Sequence, residues 1–538
     1  MESVRQALAE AGNQDPDGHL MIRPGFRNWL WMIRDSSRIA FILRCAGLLG
    51  NTLLFLLWNR LLLQTLGDAA FGTFMAFMAF MGLAGLGNFG LGGAVAMRAG
   101  QFLGAGDEKG LKEFLASARA FYVVVAVLVT SLLALQASFL PQWLGFEQVP
   151  GTGSLRSLFL VGACGMGFLL LSNYFDSLNY GIKNLTWPML PGFFVPQLVI
   201  GSHVILAWKG APLWIQYLPY VTGMVVHFVY AWGFVRIYRK DLAVLFPLRF
   251  EPGRWKDVLG SSFWTYLCAL GSLIYVTTDR MLINAMMGPE QVPRYFFNYK
   301  LCEISVSLIW ALSFAVLPKL TQLLARPEAA GREEAWQMVK KVQQLQGILT
   351  AALALGYLWF NDVFMGLWLG QEYRVSIWLQ GAFVLNLVII GSADAGVQAA
   401  SRMGRSGIKH FGVIVVLSAL LNLGLSALAL KFDWLIGVAL ATALAQLIQV
   451  IYLGHYSIRN LGQSYGGWFL RTTLWPLLFL GVAFICRLLV PGNGFGSELG
   501  LAVIYAALLA LWMKTLGLSL GGLLQEWVLV KNLLFRKQ

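Results

Sequence analysis

The sequence has little charge: acidic and basic residues together make up only 12% of its 538 positions. A soluble globular chain is charged at about a quarter of its positions. Apolar sequence takes the place of charge, because 58% of the residues are hydrophobic. At least a dozen apolar stretches approach or exceed the ~20 residues that a helix needs to cross a bilayer. This composition excludes an ordinary soluble protein and predicts an all-α polytopic membrane protein.

Several kinds of functional motif are also missing. The five cysteines all fall in apolar stretches without a CxxC pair, which argues against a disulfide framework or a zinc site. The five histidines are dispersed, no GxxxxGK[ST] motif occurs, and no Ser/His/Asp constellation can be argued. We therefore expect no enzyme activity, no cofactor, no metal, and no direct use of ATP.

The basic residues outnumber the acidic ones and give a formal net charge of +14. They are dispersed among the apolar stretches, which argues against a nucleic-acid partner and favours contact with anionic membrane lipids. Placing the N-terminus inside puts 31 of the 40 Lys and Arg residues in inside segments. The positive-inside rule then predicts that both termini are cytoplasmic and that the span count is even.

The apolar pattern predicts fourteen membrane-spanning helices. These are 42–64, 71–95, 119–140, 156–180, 187–208, 214–236, 259–284, 295–321, 343–361, 375–401, 407–430, 434–456, 471–490 and 498–519. Segments 98–118 and 322–342 are expected to form short amphipathic helices at the membrane surface. The predicted organisation is a cytoplasmic arm (1–38), a first six-helix bundle (39–236), a cytoplasmic linker (237–258), a second six-helix bundle (259–456), and two accessory helices with a tail (457–538).

A shift of 221 residues aligns the two predicted bundles. Residues 94–120 and 315–341 share six identities, and the shift also places Asn173 on Asp394. Six spans in each half give both halves the same orientation, which predicts a parallel repeat around an axis along the membrane normal. Such a pair encloses a central cavity, and this architecture favours a transporter over an enzyme.

Three motifs then resemble those of one family. They are "NFGLGGAVAMRAGQFLGAGD" (88–107), "TTDRMLINAMMGPEQVPRYFFNYKL" (277–301) and "AVLPKLTQL" (315–323). Their order and spacing are similar to those of lipid-linked oligosaccharide flippases of the MOP superfamily, the Wzx-type, O-antigen and teichoic-acid exporters. The resemblance covers roughly residues 40–460. Asn88 stands where the family often has Asp, so no charged role is transferred to it. The two last spans resemble the fourteen-span layout of lipid II flippases.

The resemblance implies a polysaccharide biosynthesis protein of the bacterial inner membrane. Its substrate would be a polyprenyl-pyrophosphate-linked oligosaccharide of the O-antigen, lipopolysaccharide or exopolysaccharide repeat-unit type. The pyrophosphate and sugar would cross by alternating access through a hydrophilic cavity, with H⁺ or Na⁺ as a coupling ion. A MATE-like exporter of cations or drugs is the alternative with the same fold. A polyprenyl-using membrane enzyme is a third hypothesis, but such enzymes have a long periplasmic loop, and none occurs here.

Charged residues within the predicted spans are candidates for the cavity, because charge inside a membrane is costly and usually functional. The basic candidates are Arg44, Arg60, Arg280 and Lys300, and the acidic candidates are Asp176, Asp279, Glu303 and Asp394. Arg44 and Arg60 are equally explained as interfacial anchors. The second predicted span is rich in glycine, and Gly85, Gly87 and Gly90 are candidates for a bendable gating helix or for close helix packing.

Spacing refines the expectations for two of these groups. Asp279 and Arg280 are adjacent, so they cannot face each other on a helix and should have different partners. We expect Asp279 to pair across the interface between the two halves. Lys300 and Glu303 are three residues apart and therefore share one helix face, as cavity residues or as a structural ion pair.

Overall fold

The computed structural model describes residues 37–85, 106–144, 146, 153–182, 189–243, 252–324 and 329–489, with isolated positions between 92 and 103 and at 507. Within these residues the fold is helical and contains no β-strand. The predicted all-α class is therefore confirmed. The predicted arm before residue 37, Gly87, Gly90 and nearly all of the span 498–519 lie outside the described residues, and the side chain of Arg44 is also outside them.

Twelve long helices form the described part of the chain. They are α1 (Ser37–Ala84), α2 (Glu108–Gln136), α3 (Leu155–Gly181), α4 (Met189–Trp208), α5 (Leu218–Tyr238), α6 (Pro252–Met287), α7 (Gln291–Leu324), α8 (Ala329–Trp368), α9 (Ile377–Ala400), α10 (Gly404–Leu430), α11 (Leu435–Asn460) and α12 (Trp475–Leu489). Shorter helical turns cover Leu140–Trp143, Leu213–Gln216, Gln371–Tyr373, Tyr465–Phe469 and Leu470–Leu474.

Nine helices in the described part are long and apolar enough to cross a membrane. The first of them, Leu54–Ala84, lies within α1, which consists of two helices joined by a kink at Gly67, where the backbone is non-helical. The part of α1 before Gly67 covers the first predicted span, and the part after it covers the beginning of the second. Gly67 has φ 74°, a left-handed conformation that glycine adopts without a steric penalty. The count of fourteen spans stays a prediction.

The expected surface helices are not separate elements. Helix α2 begins at Glu108, where the Asp107 carboxylate accepts a hydrogen bond of 2.8 Å from the Gly110 amide, and continues into the third predicted span. Helix α8 likewise runs through both 329–342 and the ninth span. No proline occurs within Glu108–Gln136 or Ala329–Trp368, so continuous backbone hydrogen bonding joins the amphipathic and apolar parts of each helix.

The helix contacts follow the same pattern in the two halves. In the first half α3 packs against α2 and α5, and α4 packs against α1 and α5. In the second half α9 packs against α8 and α11, and α10 packs against α6 and α11. The halves meet where α1 packs against α6 and α7. This recurrence matches the order expected from the 221-residue repeat, while the rotation axis itself stays a prediction.

The segment before α12 is anchored to the second half by Trp468. Its indole Nε1 donates a hydrogen bond of 2.9 Å to Gln343 of α8. The ring fills a notch between Gly396 and Gly454, where an added methyl group would overlap it. The first accessory helix is therefore packed as part of the second half.

Candidate functional site

An aromatic platform joins the two halves where α1 meets α7. It consists of Phe55 and Phe71 of α1 and Phe296 and Phe297 of α7. The centroids of Phe55 and Phe296 are 6.0 Å apart, and Phe71 stacks on Phe297 at 5.2 Å. Such aromatic pairs add specific geometry to the burial of apolar surface.

Two of the predicted cations lie on this platform. The Arg280 guanidinium is 5.4 Å from the centroid of Phe296, and the Lys300 ammonium is 5.3 Å from that of Phe55. Both distances are within the range of a cation–π interaction. Because Phe55 belongs to the first half and Lys300 to the second, this contact places a cation at the junction of the halves.

Glu303 neutralises part of this positive charge. Its Oε1 is 2.7 Å from Lys300 Nζ, which confirms that the two side chains share a helix face. The Glu303 carboxylate also interacts electrostatically with Arg280. The side chains of Lys300 and Glu303 are 23% and 28% exposed, so both remain accessible from the space beside the platform.

Asp279 points away from this group and into the second half. It is 4% exposed and accepts a hydrogen bond of 2.9 Å from the Tyr295 hydroxyl. The Thr442 hydroxyl lies 3.5 Å from the same oxygen. Tyr295 and Thr442 belong to α7 and α11, so the expectation that Asp279 pairs across the two halves is wrong. As expected, however, Asp279 and Arg280 have different surroundings.

The surroundings of Asp279 are rich in oxygen atoms. The Thr442 hydroxyl is 3.1 Å from both Asn422 Oδ1 and the Val438 carbonyl oxygen. One hydroxyl proton can satisfy only one of these acceptors at a time. Asp279 Oδ1 is buried and has no hydrogen-bond partner among the described residues. Asn422 Nδ2, a donor in the same cluster, is likewise buried without a partner among the described residues. The cluster thus combines an unsatisfied acceptor with an unsatisfied donor, and the carboxylate can be neutralised there by a proton or a small cation.

Asp394 is surrounded by neutral donors. It is also 4% exposed, and its Oδ2 accepts hydrogen bonds from the Ser313 hydroxyl and, at 2.9 Å, from Gln346 Nε2. Gln398 Nε2 donates to the other oxygen at 3.2 Å. The three donors come from α7, α8 and α9. Asp394 therefore ties three helices of the second half together rather than facing an open cavity.

Asp176 pairs with a histidine that the sequence did not single out. His227 Nε2 is 2.7 Å from Asp176 Oδ2, across the α3–α5 contact. His227 shares a helix face with the buried residues Gly223 and Ala231, which lie four residues away on either side, and α5 packs against α3. Asn179, three residues after Asp176 on α3, is fully buried and donates to the Ala231 carbonyl at 3.0 Å.

The remaining candidates are not part of this group. Arg60 is exposed on α1. An added methyl group at Gly85 would make ordinary contacts with Leu169 and Met166, so there is room at this position. Nothing in the described structure distinguishes a gating role of Gly85 from helix packing.

The halves also touch at the end of the bundle that carries the 288–290 turn. Trp368 Nε1 donates a hydrogen bond of 2.8 Å to the Leu56 carbonyl, and the Tyr373 hydroxyl donates to Asp68. Desolvation and the bond to Asp68 both raise the pKa of Tyr373, which keeps this hydroxyl protonated. We call these two bonds the latch. They close one end of the inter-half space.

A network of ion pairs lies at the opposite end of the first half. Arg239 contacts Glu108 at 2.6 Å and Asp241 at 3.0 Å, and Lys112 contacts Asp241 at 3.3 Å. The hydrogen bond from Arg239 is the largest cause that lowers the pKa of Asp241 to about 2. The network connects the start of α2 to the first residues after α5.

No family model matches the sequence. A curated relative, the "Probable low-salt glycan biosynthesis flippase Agl15" of Haloferax volcanii, is 23% identical over 332 residues, which are 58% of this chain and 61% of the relative. The match thus spans about three fifths of the relative's length. The structure is similar to the lipid II flippase MurJ in an inward closed conformation (TM-score 0.63, 16% identity, 88% of this chain and 97% of that one). It is also similar to an inward-facing multidrug-resistance MATE transporter (TM-score 0.60, 16% identity, 78% and 98%). The chain has the fold of MOP-superfamily transporters, as the sequence motifs predicted.

Proposed function

We propose that this multi-pass membrane protein flips a polyprenyl-pyrophosphate-linked oligosaccharide by alternating access. The O-antigen or exopolysaccharide repeat unit is the proposed type of glycan. The direction is from the cytoplasmic to the outer leaflet of the cytoplasmic membrane, with both termini on the cytoplasmic side. Similarity to a glycan biosynthesis flippase supports the choice of substrate class. Arg280 and Lys300 on the aromatic platform are the observation that carries the proposal.

Two fixed cations suit a diphosphate for a physical reason. A diphosphate cannot enter hydrocarbon without replacing its hydration shell by other donors. Arginine offers planar, bidentate recognition of phosphate oxygens, and lysine adds a compact positive charge. The phenyl rings hold both cations without neutralising them. A headgroup could therefore exchange water for the two cations at the junction of the halves, while its lipid chain stays in the bilayer.

A MATE-like exporter of organic cations is the alternative. Such a substrate needs carboxylates that it can reach, but Asp279 and Asp394 are each 4% exposed and enclosed by helices of the second half. A bulky organic cation does not fit against either of them. The accessible charges beside the platform include two cations and one carboxylate, which favours an anionic substrate.

The oxygen cluster at Asp279 is the proposed site of the coupling ion, either H⁺ or Na⁺. Its support is the unpartnered carboxylate oxygen beside an amide, a hydroxyl and a carbonyl oxygen. Transport by Asp279→Asn should lose its dependence on the ion gradient. Imposing the pH and Na⁺ gradients separately in vesicles would identify the ion. If transport by Asp279→Asn still depended fully on that gradient, this site would be excluded.

The experiment that tests the function is accessibility of the glycan in cells or vesicles lacking any other flippase. Arg280→Ala or Lys300→Ala should trap the lipid-linked glycan on the cytoplasmic side, while the protein still inserts normally. Losing one charged hydrogen bond should weaken headgroup binding by very roughly 1–3 kcal/mol. Lys300→Arg should retain more activity than Lys300→Ala. Unchanged transport after neutralising Arg280 and Lys300 together, at equal expression, would show that the platform cations do not carry the substrate.

A further inference from the structure

We propose that Glu303 is a resident counter-ion, which the anionic headgroup must displace from Lys300 and Arg280 in order to bind. This inference rests on the proposed function, because it assigns a role within the same site. It concerns how the site distinguishes an anion of high charge from one of low charge, and how it lets the anion leave again.

Glu303 contributes little to holding the helices together. Its bond to Lys300 joins two residues of the same helix at i and i+3, so it ties no two elements together. Such pairs stabilise a helix by only about 0.2–0.5 kcal/mol. Asp394, in contrast, is buried and accepts bonds from three helices. A partly exposed pair within one helix is therefore better explained by its charge than by its contribution to packing.

The charges around Glu303 show what its carboxylate opposes. It contacts Lys300 at 2.7 Å, and the Arg280 guanidinium lies on the same aromatic platform. Asp279 is adjacent to Arg280 in the sequence, but Tyr295 and the second-half helices hold its carboxylate away from the platform. Glu303 is thus the accessible acid of the group, and any second anion entering between the two cations approaches the Glu303 carboxylate.

This position predicts the sign of a mutational effect. If Glu303 competes with the headgroup, removing its charge must tighten anion binding, because like charges repel and two cations are left without their counter-ion. If Glu303 only orients Lys300, removing its charge must weaken binding, because the lysine becomes free to move. The same competition should help to expel the headgroup after it has crossed.

The test uses the full-length protein in phosphatidylcholine nanodiscs, with farnesyl pyrophosphate and farnesyl monophosphate as probes. Glu303→Gln should lower the dissociation constant for farnesyl pyrophosphate about tenfold, which is about 1.4 kcal/mol. The gain for the monophosphate should be smaller. Transport of the lipid-linked glycan should slow, because release is impeded. Glu290→Gln is the matched control, since Glu290 is exposed on the α6–α7 turn and should change neither quantity.

The variant Lys300→Met distinguishes a failure of the headgroup site from a failure of the counter-ion role of Glu303. If Lys300→Met weakens binding while Glu303→Gln also weakens it or leaves it unchanged, the counter-ion role is wrong and the headgroup site stands. If neither variant changes binding of the pyrophosphate probe, the headgroup site itself is wrong. An equal gain for both probes would also overturn the inference, because competition should grow with the charge of the ligand. Glu303→Asp, which keeps the charge, should bind like the parent protein.

Discussion

Removing the two donors of the latch should shift the protein toward a conformation that is open at the end bearing the 288–290 turn. The double variant Trp368→Phe, Tyr373→Phe keeps an aromatic ring at both positions and deletes the hydrogen bonds to Leu56 and Asp68, while the smaller ring at 368 also removes some packing. The proposed alternating access requires this end to open, and each bond across the halves opposes the opening.

The expected size of the shift follows from the chemistry of the two bonds. A bond between neutral groups contributes about 0.5–1.5 kcal/mol, and one to a charged group about 1.5–3 kcal/mol. Their loss should favour the open state by about 2–4.5 kcal/mol. The ratio of open to closed molecules should therefore rise by at least about 30-fold. A state populated at about 1% would then rise to about a fifth of the molecules or more.

Spin labels can measure the opening directly. Lys209 and Glu290 are exposed on turns of the first and second half, and cysteines introduced there would carry the labels after the five native cysteines are replaced. The double variant should add a population with a longer label-to-label distance. Trp359→Phe and Tyr357→Phe are matched controls on α8. Trp359 Nε1 is buried without a described partner, and the Tyr357 hydroxyl donates to Asn298 within the second half. The latch would be refuted if the controls shifted the distance as much as the double variant, or if the double variant did not shift it.

Gly454→Val should destabilise the protein by about 1–3 kcal/mol, because the added side chain overpacks against Trp468, and this should lower the Tm. Gly424→Ala is the control, since Gly424 has open space around it and the change should have little effect. Trp468→Phe should recover part of the loss, and a Tm unchanged by Gly454→Val would contradict the packing of the notch. Because Arg239 lowers the pKa of Asp241 to about 2, the stabilisation from this carboxylate is present above the unfolded pKa of about 4 and is lost as the pH falls through about 2. The Tm of Asp241→Asn should accordingly change less than the Tm of the parent protein between about pH 4 and pH 2. If the Tm of both proteins changed in parallel with pH, the effect would be ruled out. A cysteine at position 250 should not react with membrane-impermeant reagents in intact cells, because the positive-inside pattern places it in the cytoplasm. Labelling of this cysteine would show that the predicted topology is inverted.

The sequence predicted the features that depend on local periodicity. Length and hydrophobicity identified helical spans, and i, i+3 spacing placed Lys300 beside Glu303, because these follow from the geometry of one helix. It also indicated that Asp279 and Arg280 have different partners. Gly67 was not identified as a break, although its non-helical backbone (φ 74°) separates the helices of the first two predicted spans.

Features that depend on which helices meet could not be predicted in the same way. His227 is 51 residues from Asp176, and its role becomes visible only once α3 packs against α5. The partners of Asp279 lie 16 and 163 residues away, on α7 and α11. The sequence predicted that this acid pairs across the boundary of the halves, but its partners depend on which distant helices pack against α6, and local spacing does not give this.

The two halves share a pattern of helix contacts but differ in what they bring to their junction. Arg280, Lys300 and Glu303 all belong to the second half, and the first half contributes Phe55, an apolar ring, to the same place. A headgroup of the proposed substrate, held by the two cations, would therefore stay with the second half when the halves separate, while its contact with the first half would be lost at little electrostatic cost. Had the cations come from opposite halves, a bound diphosphate would have bridged them and opposed the opening. Under the proposed function, the one-sided placement lets a tightly bound anion coexist with a movable junction.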